Sequence, residues 1–200
     1  MKQHFRKIYL ASKSPRRREL LRQVGIEFEL LLNDVEVNED ILPGEIPHDY
    51  VARVTRDKAE SARQTMALRQ LPARPVLAAD TTVVVDTAIL GKPADMHDAI
   101  GMMRLLSGRT HQVLTSVAVA YQDRLWQITQ SSDVAFAPLS EEAIIAYCDT
   151  PEPYDKAGGY GIQGPAAVFI THIAGSYSGI AGLPLYETIQ LLQKAGAHNP

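Results

Sequence analysis

Arg16, Arg17 and Arg18 stand directly after Ser14 and Pro15 in the stretch SKSPRRRELL. Serine before proline is a good helix start, because the hydroxyl can cap orphan N–H groups and proline suits the first helical position. Leu20, Leu21 and Val24 then share one face, and Gly25 can end the helix. The arginines therefore sit in a first turn whose dipole is already positive, where each misplaced cation costs roughly 0.3–1 kcal/mol. A bound anion would reverse that cost, with backbone N–H groups and guanidinium forks converging on phosphate oxygens. The same residues also admit a plainer reading, in which Arg17 and Arg18 face solvent beside Glu19. Solvent suits Arg18; phosphate suits Arg16, which lies beside the cap and Ser12. On this view removing Arg16 or Arg17 leaves the unliganded helix no less stable.

Asp80 is the second break in local pattern. It interrupts the apolar run PVLAADTTVVV, where a carboxylate is costly unless paired, hydrogen-bonded or near a metal. Thr81 and Thr82 follow it, so a polar bend with Asp80 capping a turn between two strands is an equal alternative. Glu36 ends an earlier strand pattern, with Asp34 on the same face. If Asp80 lies nearby, such carboxylates could hold one divalent cation together with phosphate oxygens and water. Lys58, Lys92 and Lys156 fall in a helix middle, a GKP turn and a glycine-rich loop. Any one of them alone reads as a surface residue. The loop, AGGYGIQG, either lets backbone approach a ligand closely or is simply mobile surface, and it lacks the Gly-Lys-Ser/Thr ending of a Walker A loop. No GxSxG element is present, and neither Ser12, Ser14 nor Cys148 has a neighbouring histidine motif. A basic turn, carboxylates and lysines without a nucleophile suit metal-assisted attack of water on a phosphate ester or anhydride.

The elements that must position these groups alternate. KIYLAS and FELLLNDVEV read as strands around the arginine helix, and a Pro/Gly-containing loop leads into a long helix from His48 to about Arg69. ARPVLAAD and TTVVVD read as two β-type stretches, followed by ILGKP. Asp95 caps a helix through Leu106. HQVLTSVAVAY and RLWQITQSSDVAFAPL form a hairpin across Gln122 and Asp123. Ser140 caps a further helix, and LPLYETIQLLQKAG supplies the last. Hairpins intervene among helices, which predicts a mixed α/β fold with a twisted sheet flanked by helices.

A length of 200 residues fits one domain, with room for two small lobes around a cleft. A hydrophobic fraction of 46% against 22% charged supports a proper core, and a net charge of −3 gives no general attraction for nucleic acid. Aromatic content of 6% argues against an RNA-binding module. A single cysteine suits a reducing cytoplasm, the six histidines lack metal-ligand spacing, and no apolar run reaches membrane-spanning length. Monomer and homodimer are equally compatible with this composition.

Taken together, LASKSPRRRELL, AADTTVVVD, LGKP, LSGRTHQVLTSVAV, DKAGGYGIQG and GLPL resemble the Maf family of nucleoside triphosphate pyrophosphatases, in family order from about Ile8 to about Leu192. The resemblance implies a mixed α/β fold with a deep cleft, similar to the inosine triphosphate pyrophosphatases. It also implies hydrolysis of a nucleoside triphosphate to monophosphate and diphosphate with a divalent cation, Mg²⁺ or Mn²⁺. By the same resemblance Asp80 matches the proton acceptor, and Glu36 with Asp80 matches the metal-binding acids. Lys58 and Lys92 match the basic residues around the phosphates, and Ser14, Arg17 and Lys156 fall at substrate-binding positions. Arg16, Thr81 and Gln163 match three positions that sort the family by base, and they resemble the branch acting on dTTP and UTP. The family's association with septum formation leaves a second class open, a nucleotide-binding regulator with little hydrolysis. Two departures stand out. Val37 replaces the second of two successive glutamates, and AGGYG replaces the commoner AGAYG, a change expected to be tolerated.

Overall fold

The computed structural model describes residues 6–32 and 37–197. Its elements are β1 (Ile8–Leu10), α1 (Pro15–Gln23), β2 (Phe28–Leu30), α2 (Pro47–Leu68), β3 (Val76–Val85), β4 (Ala88–Leu90), α3 (Met96–Leu106), β5 (Thr110–Tyr121), β6 (Arg124–Phe136), α4 (Glu141–Cys148), β7 (Ile170–Ala174), α5 (Tyr177–Ile180) and α6 (Leu185–Lys194). Short 3₁₀ turns at Pro153–Asp155, Ala157–Gly159 and Pro165–Phe169 carry the glycine-rich loop. The strands form one seven-stranded sheet in the order β2-β1-β3-β5-β6-β7, with β4 also on β3. β1 runs parallel to β2 and β3, and the other pairings are antiparallel. The mixed α/β architecture predicted from alternating helices and hairpins is the one observed.

Local chemistry accounts for the boundaries. Gly25 at φ 73° turns the chain out of α1, where its N–H reaches Arg22 and the Ile26 N–H reaches Leu21. That is the left-handed exit that glycine adopts without strain. The Asp95 and Ser140 side chains cap α3 and α4 as their sequence contexts predict. Gln122, at φ 54°, supports the β5–β6 hairpin.

One strand expectation fails in an instructive way. The two stretches flanking Asp80 are a single ten-residue strand, because β5 pairs with it from Val76 through Val84 without interruption. Asp80 therefore caps no turn; it sits mid-strand opposite Ser116. β2 is also shorter than its apolar run, ending at Leu30, and Asp34 and Glu36 lie outside the described residues.

α2 lies on one sheet face, where small residues such as Ala59, Ala62, Ala78 and Ala118 allow close approach. α1 and α6 cover the opposite face through Leu20, Leu21 and Leu191 against Leu77 and Val117. Each large apolar side chain so buried contributes roughly 1.5–3 kcal/mol. A further cluster around Val83, Met103, Phe136 and Tyr160 joins α3, α4 and the glycine-rich loop. On the β1 side, β3 pairs with β1 only at Val76 and Leu77 and with β4 only from Val83. Among the described residues, then, the Ala79–Thr82 edge has no strand partner there. That notch beyond the carboxyl end of β1 is where a ligand site is expected in an α/β sheet.

Candidate active site

Alternation along β3 sends Asp80 and Thr81 to opposite faces at the notch. Asp80 points towards α2, where the Lys58 ammonium donates to its Oδ1 at 2.7 Å. The same ammonium lies 2.8 Å from Glu39 Oε1, so one cation is shared by two carboxylates. Glu39 reaches this position because α2 grips its loop. Tyr50 donates its hydroxyl to the Glu39 carbonyl, and Arg53 donates to the carbonyls of Asn38 and Asp40 and to the Glu45 carboxylate. The Arg53 hydrogen bond pulls Glu45 down to about 2. Burial pushes Glu39 up, but Lys58, Lys92 and Arg17 outweigh it and leave its carboxyl below the ordinary range. Burial, then the charges of Asp80 and Glu39, push Tyr50 up to about 12. Lys92 follows β4 and is felt by Glu39, which places it at this end of the cleft.

On the other face, Thr81 meets Arg17. Arg17 donates through Nε to the Gly182 carbonyl at 2.7 Å, and through its terminal nitrogens to Ser12 Oγ at 3.4 Å and Thr81 Oγ1 at 3.2 Å. Thr115 lies 3.0 Å from the Thr81 hydroxyl and donates to the Gly179 carbonyl at 2.8 Å. Burial lowers the Arg17 pKa, and Arg16 adds to that, while Asp80 and Glu39 oppose it. Ser14 caps α1 by accepting from the Arg17 N–H, a long contact of 3.5 Å. The expectation that Arg17 has no structural partner is thus corrected: two of its donors tie α1 to β3 and to the segment before α6, and a third holds Ser12. Arg18 does take the solvent side, at 3.5 Å from the Lys13 carbonyl.

A pocket of about 550 Å³ is lined by Arg16, the neighbour of Arg17, and by Lys156 and Gln163. Arg16 therefore faces the glycine-rich loop while its neighbour Arg17 is tied to the sheet edge. The Lys156 ammonium is bonded to the Glu152 carbonyl at 3.0 Å and to Asp155 at 2.5 Å. The loop itself is anchored. Gly158, at φ 70°, donates to the Gly91 carbonyl, and a Cβ there would come within 2.8 Å of Val83. Gly159 also has φ 70°, so glycine at the AGGYG position adopts its conformation without strain. The structure thus gathers Asp80 and Lys58 on one face of β3 with Lys92 in electrostatic reach of their partner Glu39, Arg17, Thr81 and Ser14 on the other face, and Arg16, Lys156 and Gln163 along the pocket.

The family model for Maf-like protein matches residues 7–195. The chain belongs to the Maf-like family. A dTTP/UTP pyrophosphatase of Bordetella avium (strain 197N) is 50% identical over 199 residues, covering 98% of this chain and 99% of the relative. One of Burkholderia pseudomallei (strain 1710b) is 54% identical over 194 residues, covering 94% and 93%. Among solved structures, the Staphylococcus aureus Ham1 protein aligns with a TM-score of 0.46 and 14% identity over 66% of this chain and 72% of that one, a likeness too low to argue from.

Two acids in this Maf-like chain escaped the sequence reading. Glu39 sits in a loop composition that gives no reason to select it, and only the Tyr50 and Arg53 contacts bring it to Lys58. Glu152 precedes a proline turn and looks like a surface acid, yet it forms part of the pocket wall. Among the described residues no group of three or more His, Cys, Asp or Glu is arranged to hold a metal ion, and no helix is long and apolar enough to cross a membrane. What the site does offer a cation is the Asp80–Glu39 pair, already gathered around the Lys58 ammonium.

Proposed function

We propose that the chain is a nucleoside triphosphate pyrophosphatase that converts dTTP and UTP to their monophosphates and diphosphate in a reducing cytoplasm. The observation that carries this reading is the Asp80–Lys58–Glu39 cluster at the open edge of β3, with Arg17 on the opposite face. Names of relatives at 50–54% identity support the nucleotide class.

Asp80 takes the proton of the attacking water as the water oxygen bonds to the α-phosphorus. The bond from that phosphorus to the bridging oxygen breaks, and diphosphate leaves with the electron pair. Lys58 holds Oδ1, which leaves Oδ2 to accept the proton. Lys58 and Lys92 then face the charge that gathers on the leaving group. Arg17 and Arg16, at the start of α1, bind phosphate oxygens, whose negative charge offsets both the guanidiniums and the positive end of that helix. Asp80 and Glu39, with Glu36, would hold a Mg²⁺ or Mn²⁺ ion; two carboxylates with phosphate oxygens and water fit such a cation. When bound, that ion supplies charge neutralisation along the triphosphate. Gln163 reads the base by donating to a carbonyl and accepting from N3–H, with Arg16 and Thr81 sharing the discrimination. Ser14, from the cap of α1, and Lys156, from the pocket wall, also bind the substrate.

Replacement of Asp80 by asparagine keeps the size and removes the base. Diphosphate release from dTTP with Mg²⁺ should fall by about 100-fold or more, with a smaller change in nucleotide affinity. Near-normal turnover in a folded Asp80→Asn protein would sink the assignment of Asp80.

A further inference from the structure

Glu152 carries an unusual carboxylate in the pocket wall. Its Oε1 accepts the Gly161 N–H at 3.1 Å, while Oε2 is buried without a hydrogen-bond partner. Neighbouring cations do not claim it: Lys156 bonds the Glu152 carbonyl and Asp155 instead. Of the two glycines that bracket Gln163, Gly164 makes room for this carboxylate, and Gly161 makes room first for the Lys156 side chain, whose Cε would lie 2.8 Å from a Cβ there, and then for Glu152. Gly164 has φ −119°, extended backbone that any residue adopts, so its lack of a side chain is not conformational. A Cβ at Gly164 would lie 2.5 Å from both Glu152 oxygens, and one at Gly161 would lie 3.0 Å from Oε1. The turn is closed by the Gly164 N–H on the Gly161 carbonyl at 3.2 Å, with Gln163 inside it. Its other flank is pinned by the Tyr147 hydroxyl on the Gly159 carbonyl and by His111 Nε2 at 2.6 Å from the Tyr160 hydroxyl. Burial pushes the Tyr147 hydroxyl up, and it stands close enough to the Glu152 carboxylate to be pushed up further by that charge. Glu152 is thus the side chain that grips the Gly161–Gly164 turn, and it lines the same pocket as Gln163.

We infer that Glu152 is the positioning residue for base recognition: its carboxylate shapes the Gly161–Gly164 turn and thereby fixes the direction of the Gln163 amide. This rests on the proposed function above. A glutamine amide presents an acceptor and a donor side by side, and rotation by half a turn exchanges them. Held one way, it complements uracil or thymine, which offer a carbonyl beside N3–H. Turned over, it complements cytosine, which offers an amino group beside an unprotonated N3. Selectivity for uracil over cytosine therefore depends on the turn that holds the amide, whereas the reaction at Asp80 does not.

The test is a double-mutant cycle on Glu152→Ala and Gly164→Ala, reading kcat and KM for UTP and CTP. Each single change is expected to lower the UTP:CTP ratio of kcat/KM by roughly tenfold, with kcat for UTP held within about threefold. The double variant is expected to be no worse than either single one, because deleting the carboxylate makes room for the added methyl group. Glu152→Gln keeps an oxygen for the Gly161 N–H and should retain most of the ratio. Gly164→Ala is compatible with its extended backbone and probes the same contact if Glu152→Ala does not fold. An unchanged ratio in Glu152→Ala, additive losses in the double variant, or a fall in kcat without a change in ratio overturns the inference. Failure of the parent protein to hydrolyse UTP overturns the proposed function itself. A parent that hydrolyses UTP, together with an unchanged ratio in Glu152→Ala, overturns only the role of Glu152.

Discussion

At the Asp80 end of the cleft the functional side chains are held largely by one another, whereas at the Gln163 end the loop is held largely through its backbone. Lys58 bridges Asp80 and Glu39, and Lys92 stands within electrostatic reach of Glu39. In the glycine-rich loop, side chains from outside grip backbone groups instead: Tyr147 on Gly159 and Glu152 on Gly161. Ion pairs can exchange partners when a triphosphate and its cation arrive, since each charged group there accepts a substitute of the same sign. Backbone grips offer no such exchange, so the loop presents a preset shape. The proposed chemistry and base selectivity thereby fall to regions with different tolerance for change. Arg16 and Arg17 repeat the contrast in adjacent residues: one lines the pocket, the other is bonded to the framework.

That neighbouring pair gives the largest effect by which the contrast can be broken. Arg17→Ala removes the proposed phosphate ligand and also strands the Gly182 carbonyl, which accepts from Nε at 2.7 Å. Turnover should drop on the order of 10²–10³-fold, the scale of losing a donor aimed at developing charge. The nucleotide-free protein should also lose about 1–3 kcal/mol, and its Tm should fall by several degrees. Arg16→Ala should weaken nucleotide binding while leaving that Tm unchanged. Equal melting temperatures for the two variants would remove the distinction between a framework arginine and a pocket arginine.

A smaller effect sharpens the other side of the contrast. Gln163→Glu replaces a donor–acceptor edge with one that only accepts while ionised. A carboxylate would face a pyrimidine carbonyl unfavourably, yet it would suit the donor edge of guanine and the cationic ring of 7-methyl-GTP. Hydrolysis of dTTP and UTP should therefore fall relative to 7-methyl-GTP by about 1–3 kcal/mol, or roughly 5- to 150-fold in the ratio of kcat/KM. An equal fall for all three nucleotides would mean that Gln163 supports the loop without reading the base.

Features decided by neighbouring residues were legible in the sequence. The Ser14–Pro15 start and Gly25 exit of α1, the Asp95 and Ser140 caps and the hairpin at Gln122 all depend on contacts within a few positions. Asp80 was legible as an anomaly, a carboxylate within an apolar run, but its place mid-strand was not. Continuous pairing with β5 outweighs the local preference of Asp80, Thr81 and Thr82 for a bend. Glu39 and Glu152 were illegible for a related reason. Their surroundings come from α2 and from the Gly161–Gly164 turn, and no local pattern separates them from surface acids. Arg17 was half legible: the misplaced cation signalled function, while its bond to Gly182 spans 165 positions of sequence.

Isotope labelling tests the central claim most directly. UTP hydrolysed by the parent protein in ¹⁸O-enriched water, with products resolved by mass, should yield labelled UMP and unlabelled diphosphate, since the proposed mechanism has water attack the α-phosphorus beside Asp80. Label in the diphosphate would place the attack on the β-phosphorus and contradict the assigned geometry. Release of inorganic phosphate and UDP would contradict the pyrophosphatase reading altogether.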